Sequence, residues 1–300
     1  MGSADMKKVM DRGRPEVSIG MPVYNGEIFI REALDSLLAQ TFTNFELIIS
    51  DNASTDGTES ICLNYAEQDS RIRYIRQREN ISALPNFQFV LGEARGKYFM
   101  WAACDDKWDG NWIKLLHMRL TGIKNHAAFG KLIQIDECSR PLVHPANNNS
   151  FEFTGSYLKR RTSFFLEFEG KGKANLFYSL FRREALVDVE LISYDFDCVV
   201  LFDLLKKIEF VSVSDVRLYK RIHSSSEGNA EPKTFRRMLL SIFMLEVLWH
   251  NFHVSRKYLT HSRGREKLIL SLLVPVRIFY SYLFYARRVL NTLSCHPVNL

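Results

Sequence analysis

Two adjacent carboxylates, Asp105 and Asp106, follow the apolar run in GKYFMWAACDDKWDGNW. Like charges at the end of a buried strand repel each other unless a positive group joins them. A hard divalent cation is one such group: Mn2+ or Mg2+ takes oxygen ligands, typically one or two carboxylates plus substrate phosphates. Held there, it would act as a Lewis acid on a departing diphosphate. The pair also suits a plainer role, as a solvated strand end or the N-cap of a helix over 107–120. Asp51, in SDNASTDGT, poses a similar choice. Asp56 and Gly57 read as a cap and a turn. A strand tip has no need of Asp51, whose carboxylate can accept hydrogen bonds from a nucleobase edge or ribose hydroxyls. The chain has no G-x-G-x-x-G and no G-x-x-x-x-G-K-[ST]. A bound nucleotide would therefore need some counter-charge other than a Gly-rich cradle or a P-loop lysine.

The elements that must position these residues alternate in type. Short apolar runs predict strands over 17–21, 45–50, 72–77 and 97–103. Helical periodicity predicts helices over 27–40, 57–68 and 84–94, the first with Ile28, Ala33, Leu34, Leu37 and Leu38 on one face. Such a rhythm with short connections builds a parallel sheet covered by helices. Ligands then bind beyond the carboxyl ends of the strands. The polar strand ends PVYNG, DNASTDG, RENIS and CDDKWDG should therefore converge on one crevice. After residue 120 the pattern changes: a strand over 126–136, a loop at 147–150, a helix over 155–168, a strand leading into a helix over 175–186, a helix over 195–208 and a strand over 210–223.

At 300 residues, the chain is long enough for one large α/β domain, or one domain with an appendage. Its start, MGSADMKKVMDRGRPE, is polar, so no secretory signal is expected and residues 1–15 are read as a disordered segment. The 5 cysteines are dispersed, with no C-x-x-C pair, and read as reduced thiols of a cytoplasmic protein. The net charge of +6 is uneven: residues 231–300 carry 11 Lys/Arg against 3 Asp/Glu, which leaves 1–230 slightly acidic. A nucleic-acid-binding surface on the main domain is not expected. The tail from about 233 is basic, helical and mostly apolar. Within 268–286, Arg277 and Pro275 argue against a spanning helix. A helix at the membrane surface, one completing the core, or a dimer contact all fit.

In order, VSIGMPVYNGEIFIREALDSLLAQTFTNFELIISDNASTDGT, REN and GKYFMWAACDDKWDGNW resemble family 2 glycosyltransferases, closely over 16–120 and more weakly to about 226. The resemblance implies an α/β fold of the GT-A type, Rossmann-like, with a mostly parallel central sheet and here a C-terminal helical extension. It assigns 16–120 to nucleotide-sugar binding, 121–230 to acceptor binding and 231–300 to the tail. Pro22, Tyr24 and Asn25 would line the nucleoside pocket and Asp51 would contact the base. Asn80 stands in N-I-S where the family often has N-x-G, a departure at the base or ribose contact. Asp105 and Asp106 stand at the DXD-type position, as C-D-D, and would hold Mn2+ or Mg2+ and the diphosphate-sugar. Downstream, SYDFDCVVLFDLLKKIEFVSVSDVRLYKRIHSSS resembles the acceptor-side segment, with Asp197 as catalytic base and Asp195 as its rival; both also read as helix N-terminal carboxylates. His223 falls where a late metal ligand or phosphate contact is expected, and Lys220 and Arg221 can neutralise diphosphate.

The expected function is inverting transfer of a sugar from a UDP- or other nucleoside-diphosphate donor to a saccharide or lipid-linked saccharide hydroxyl, in cell-surface polysaccharide or glycolipid synthesis. Its place would be the inner face of the cell membrane. A non-catalytic nucleotide-sugar-binding scaffold is the alternative, against which the set Asp51, Asp105 and Asp106 stands. A nucleotidyltransferase lacks its Gly-rich, basic N-terminal loop here. Trp101, Trp108 and Trp112 can either stack on a sugar or pack in the core.

Overall fold

The computed structural model describes residues 14–189, 191, 196–224 and 245–294, so all but the last two residues of the expected N-terminal segment lie outside it. Val17–Val23 forms β1, buried along its whole length. Such unbroken burial belongs to a strand covered on both faces. β2 (Phe45–Asp51) lies on one side of β1 and β4 (Tyr98–Trp101) on the other, with β3 (Ile72–Arg76) beyond β2; all three pairings are parallel. Between these strands run α1 (Ile30–Leu38), α2 (Thr58–Gln68) and α3 (Ala83–Gly92). The expected alternation is thus observed, with one shift: α1 begins at Ile30 and buries Ile30, Ala33, Leu34 and Leu37, whereas Ile28 is 81% exposed. The turn at Gly26, whose carbonyl accepts from the backbone N–H groups of Phe29 and Ile30, takes up the residues before it.

The sheet continues through β7 (Leu180–Arg182), β6 (His126–Ile135), β8 (Glu209–Arg221) and a short β5 (Lys107–Trp108), in the order β3-β2-β1-β4-β7-β6-β8-β5. β7 is antiparallel to β4 and β6, β5 is antiparallel to β8, and β6 and β8 are parallel. The sheet is therefore mixed, with its parallel run in the N-terminal half. The break in β6–β8 register falls at Gly130, where a Cβ would meet the Trp112 ring at 2.3 Å and the Val216 carbonyl at 2.5 Å. Only glycine lets α4 (Trp112–Leu120) and β8 approach this closely. The strand-into-helix expected over 175–186 is instead β7 between two 3-10 turns, Lys173–Tyr178 and Arg183–Leu186. Leu176, Phe177, Leu180 and Phe181 repeat like a helix face, but pairing to strands on both sides holds Leu180–Arg182 extended.

The remaining helices are α5 (Tyr157–Leu166), α6 (Phe196–Leu204), α7 (Leu245–Thr260) and α8 (Gly264–Ser294). α7 and α8 pack on each other as a hairpin, with α7 touching α6 and α8 touching α5. A buried polar seam joins the hairpin to the body. Arg277 of α8 donates to both oxygens of Glu169, at 2.5 and 2.6 Å, and to the Phe165 carbonyl. Lys173 lies 3.0 Å from Glu169, and the Tyr258 hydroxyl donates to it at 3.1 Å. One turn of chain away, Arg161 pairs with Glu266, which also accepts from Tyr157. Removing one member of such a buried pair typically costs about 3–5 kcal/mol. The tail is thus part of the folded body along one face.

Candidate active site

The loops after β1 and β2 are laced together. Asn25 has φ +51°, and its side-chain oxygen accepts from the Thr55 N–H at 2.8 Å, while its own N–H donates to Ser54 Oγ at 2.9 Å. Gly26 N–H donates to Thr58 Oγ1 at 2.8 Å, and Glu27 accepts from Gly57 N–H at 2.8 Å. Asp56 accepts from the Thr58 N–H at 3.0 Å, but the N-cap of α2 is Gly57, so Asp56 ties the turn one residue before the cap position expected for it. A Cβ on Gly26 would sit 3.2 Å from the Cys104 sulfur, so this loop also abuts the end of β4 just before the paired carboxylates. Strand order reverses between β1 and β4, the switch point where open α/β sheets bind ligands. Pro22 is buried at the strand end, whereas Tyr24 is 49% exposed and Asn25 is exposed beside it.

Asp51 is 0% exposed and its oxygens are occupied. Oδ1 accepts from Ser54 N–H at 2.8 Å; Oδ2 accepts from the Tyr74 hydroxyl at 2.7 Å and the Arg76 guanidinium at 2.8 Å. Neighbouring Asn52 reaches the RENIS loop: its amide donates to Asn80 Oδ1 at 3.0 Å, and its oxygen accepts from Ile81 N–H at 2.8 Å. Asn80 also accepts from Ser82 N–H at 2.9 Å, which fixes the N-I-S turn. Ser82 takes φ +72° there.

The paired carboxylates face the end of β8. Asp105 Oδ2 lies 3.0 Å from His223 Nε2, and the His223 ring packs against Phe29. Asp106 is 0% exposed; Oδ1 accepts from the Arg221 N–H at 2.9 Å, and Oδ2 has no hydrogen-bond partner. Lys220 Nζ stands 3.7 Å from that bare oxygen, beyond hydrogen-bond reach, and over the Tyr178 ring at 5.2 Å. Burial pushes the Asp106 carboxyl up to about 7, against the pull of Lys220. Burial works against the charge on Lys220, yet Asp106, Tyr178, Asp105 and Asp197 together raise its pKa. Burial and then the charges of Asp106, Asp197 and Asp105 raise the Tyr178 phenol. The fields of three carboxylates thus meet on one lysine and one tyrosine. Asp197 lies in the first turn of α6, and its charge reaches both Lys220 and Tyr178; Asp195 lies outside the described residues.

Among the described residues no three acidic, His or Cys side chains stand close enough to cage a metal by themselves. An Mg2+ or Mn2+ that takes one or two carboxylates and completes its shell with phosphate oxygens needs no such cage. The donor set present fits that kind of ion: a buried Asp106 oxygen with nothing on it, and the Asp105–His223 pair beside it.

Arg221 has a different place from the one its charge suggested. It is 1% exposed and donates to the Asp105, Asp136 and Glu137 carbonyls, to Glu32 at 3.0 Å and to Ser139 Oγ at 3.1 Å. Its guanidinium is spent on holding the DD turn against α1 and the loop after β6, and none of it remains for a diphosphate. Strand alternation sends neighbouring side chains to opposite faces, so Lys220 alone of this pair points at the carboxylates. Trp101, Trp108 and Trp112 are all buried, which removes them as sugar platforms. Trp101 stacks on Phe177 at 4.2 Å and donates to the Phe87 carbonyl. Two participants were missed in the sequence: Tyr178, reached only through a 3-10 turn, and Arg76. The second was findable, because parallel register sets Arg76 beside Asp51.

Comparison with known proteins adds the following. The profile of the family described as "Glycosyl transferase family 2" matches residues 18–189. An "uncharacterized glycosyltransferase" of Rickettsia bellii is 36% identical over 136 residues, which covers 43% of this chain and only 19% of that relative. The Campylobacter jejuni GalNAc(5)-diNAcBac-PP-undecaprenol beta-1,3-glucosyltransferase is 25% identical over 244 residues, 79% of this chain and 75% of that protein. Among solved structures, the mannosyltransferase PcManGT from Pyrobaculum calidifontis, in complex with GDP-Man and Mn2+, superposes with a TM-score of 0.57 at 14% identity, covering 96% of this chain and 77% of that one. That likeness identifies the GT-A type of fold, with C-terminal helices attached.

Proposed function

The chain belongs to glycosyl transferase family 2, and on that premise we propose that it moves a sugar from a nucleoside-diphosphate donor to a hydroxyl acceptor with inversion at the anomeric carbon. One observation carries the reading: a fully buried Asp106 oxygen stands without a hydrogen bond beside the Asp105–His223 pair, with the Lys220 ammonium 3.7 Å away as its ion-pair partner. A buried carboxylate oxygen that makes no hydrogen bond is costly in a folded protein unless a ligand uses it.

The nucleoside lies against Pro22, Tyr24, Asn25 and the Asp51–Asn80 wall. Asp105, Asp106 and His223 would hold Mn2+ or Mg2+ together with oxygens of the donor's phosphates, and the ion would supply Lewis-acid stabilisation of the leaving diphosphate. Lys220 adds a second positive charge to the same face of the pocket. Asp197 takes the acceptor hydroxyl's proton as that oxygen attacks opposite the diphosphate; Asp195 is the other carboxylate of the same stretch. The Mn2+ and GDP-Man bound by the mannosyltransferase neighbour support a metal-bound nucleotide-sugar donor. The undecaprenol-linked acceptor in the Campylobacter relative's name supports a lipid-linked saccharide acceptor and work at the cytoplasmic face of the membrane, in polysaccharide or glycolipid synthesis.

A thermal-shift screen of nucleoside diphosphates and nucleotide-sugars, with and without Mn2+, tests the reading. The matching base should raise Tm, with a further rise in Mn2+ that Asp106→Asn removes. A Mn2+ increment that survives Asp106→Asn would refute the metal assignment. With the donor in hand, the anomeric configuration of product by proton NMR decides inversion.

A further inference from the structure

α8 presents two unlike faces. Toward the body it turns Glu266, Leu270, Arg277 and Ser281, all buried. The polar ones are paired there: Glu266 with Arg161 and Tyr157, Arg277 through its two terminal nitrogens with Glu169 and the Phe165 carbonyl, Ser281 with the Asn251 amide. On the opposite side Leu268, Leu272, Val276, Phe279, Tyr280 and Leu283 are exposed. Spacings of three and four residues place them in one stripe along the helix. Among the described residues Gly264–Phe284 is the segment long and apolar enough to cross a membrane by length and composition.

We propose that α8 is a monotopic docking helix. It lies in the plane of an anionic bilayer with this stripe among the acyl chains and its polar face on the protein. Charge selects the occupant. Residues 245–294 carry eight Lys/Arg and two Asp/Glu, and one of the two, Glu266, is turned inward and paired. Arg263, Arg265 and Lys267 remain exposed at the start of the stripe, and the helix runs on through Arg287 and Arg288. A basic collar around an apolar stripe suits acidic headgroups. It does not suit a second copy: two-fold pairing of α8 with itself brings a basic end against a basic end in either orientation.

Crossing the bilayer is excluded by the inner face. To span, α8 would have to leave the body, take Arg277 into lipid, and deprive Glu169 of Arg277 and buried Arg161 of Glu266. Pro275 agrees with the shallow position, since it cannot donate to the Ser271 carbonyl, which headgroups and water satisfy at an interface but not at the bilayer centre. Docked in this way, α8 holds α5 and α7 at the lipid surface, and α7 in turn touches α6, which carries Asp197. The membrane-face location proposed above is thereby given a surface, and its test needs no turnover, so either reading can fail alone.

Flotation of the full chain with vesicles of phosphatidylcholine containing phosphatidylglycerol, against pure phosphatidylcholine, measures the docking. Strong binding to the first and weak, salt-insensitive binding to the second is expected. Leu272→Asp/Phe279→Asp should weaken binding by about a hundredfold or more, with unchanged thermal unfolding. Arg265→Gln/Lys267→Gln should weaken it by about fivefold for each charge removed. A Trp placed by Phe279→Trp should be quenched most by lipids brominated near the headgroup. Equal binding by the Asp variants, or equal binding to both vesicles, overturns the proposal. So does absence of binding, whether light scattering then gives a dimer that Leu272→Asp dissolves, or the Asp variants destabilise the fold because the chain itself covers the stripe. Deepest quenching at the bilayer centre overturns it in favour of a spanning helix.

Discussion

Asp51 and Asp106 are both fully buried carboxylates near strand ends in the same sheet, and they are treated in opposite ways. Asp51 is surrounded by donors on both oxygens, from its own loop and from β3. Asp106 has one backbone donor, and its second oxygen faces a lysine too far to bond it. A carboxylate whose valences are all met is a strut, because its energy is already spent on the fold. One left half-met in a buried place stores unfavourable energy that a bound cation or hydrogen-bond donor can relieve. The surroundings of Asp51 are therefore complete in the folded chain, whereas those of Asp106 leave room for a ligand.

The sharpest way to break this comparison is Asp106→Asn. Turnover should fall by about a thousandfold, near 4 kcal/mol of transition-state stabilisation, while thermal stability changes little, because the amide oxygen still accepts from the Arg221 N–H and Lys220 has no hydrogen bond there to lose. A loss of stability comparable to the loss of rate would make Asp106 a strut as well. Asp51→Ala should do the reverse. It strands the Ser54 N–H, the Tyr74 hydroxyl and Arg76, and should cost about 3–4 kcal/mol in urea unfolding.

A third buried carboxylate extends the comparison to the tail. Burial works against the charge on Glu169, but Lys173 and Arg277 bring its carboxyl down to about 2. A folded-state value below the ordinary one means stability that is present above pH 4.5 and lost as pH falls through about 2. The seam should contribute about 3 kcal/mol at neutral pH, and Glu169→Gln should flatten the acid limb of a pH–stability curve. Asp106 leans the other way. Its raised value means a contribution present below pH 3.8 and lost as pH rises through about 7 in metal-free protein. Opposite slopes for the two carboxylates, each removed by its own amide variant, would separate a group hydrogen-bonded on both oxygens from one with an oxygen left without a hydrogen bond.

The N-terminal half of the fold was legible because its signals are local. Apolar runs give β1, β2 and β4, helical spacing gives α1 to α3, and the polar strand ends fall at one edge by the rules of parallel sheets. The errors there are small: Ile28 was counted into a helix that starts at Ile30, and the two-residue β5 has no pattern to find. What could not be read depends on residues far apart in the chain. Arg221 serves Asp105 and Glu32 across more than a hundred residues, and nothing in YKRIH says that Lys220 rather than Arg221 faces the carboxylates. Glu169, Lys173, Tyr258 and Arg277 form one cluster only after the hairpin docks. Alternation and periodicity tell which residues share a face, but not what meets that face.

The smallest effect gives the finest test of the difference between Asp51 and Asp106. Tyr74 donates to Asp51 Oδ2 alongside Arg76, and Tyr74→Phe removes that one donor while leaving the ring, Arg76 and the Ser54 N–H in place. Because the arginine still neutralises the oxygen, the cost should be only about 1 kcal/mol, a shift of a few degrees in Tm. The freed valence makes Asp51 resemble Asp106 by one step. If an open valence on a buried carboxylate is what recruits ligand, Tyr74→Phe should keep or tighten nucleoside-diphosphate affinity by calorimetry even as it loosens the fold. Weaker binding with the expected loss of stability would mean instead that the phenol, not the carboxylate, meets the nucleoside.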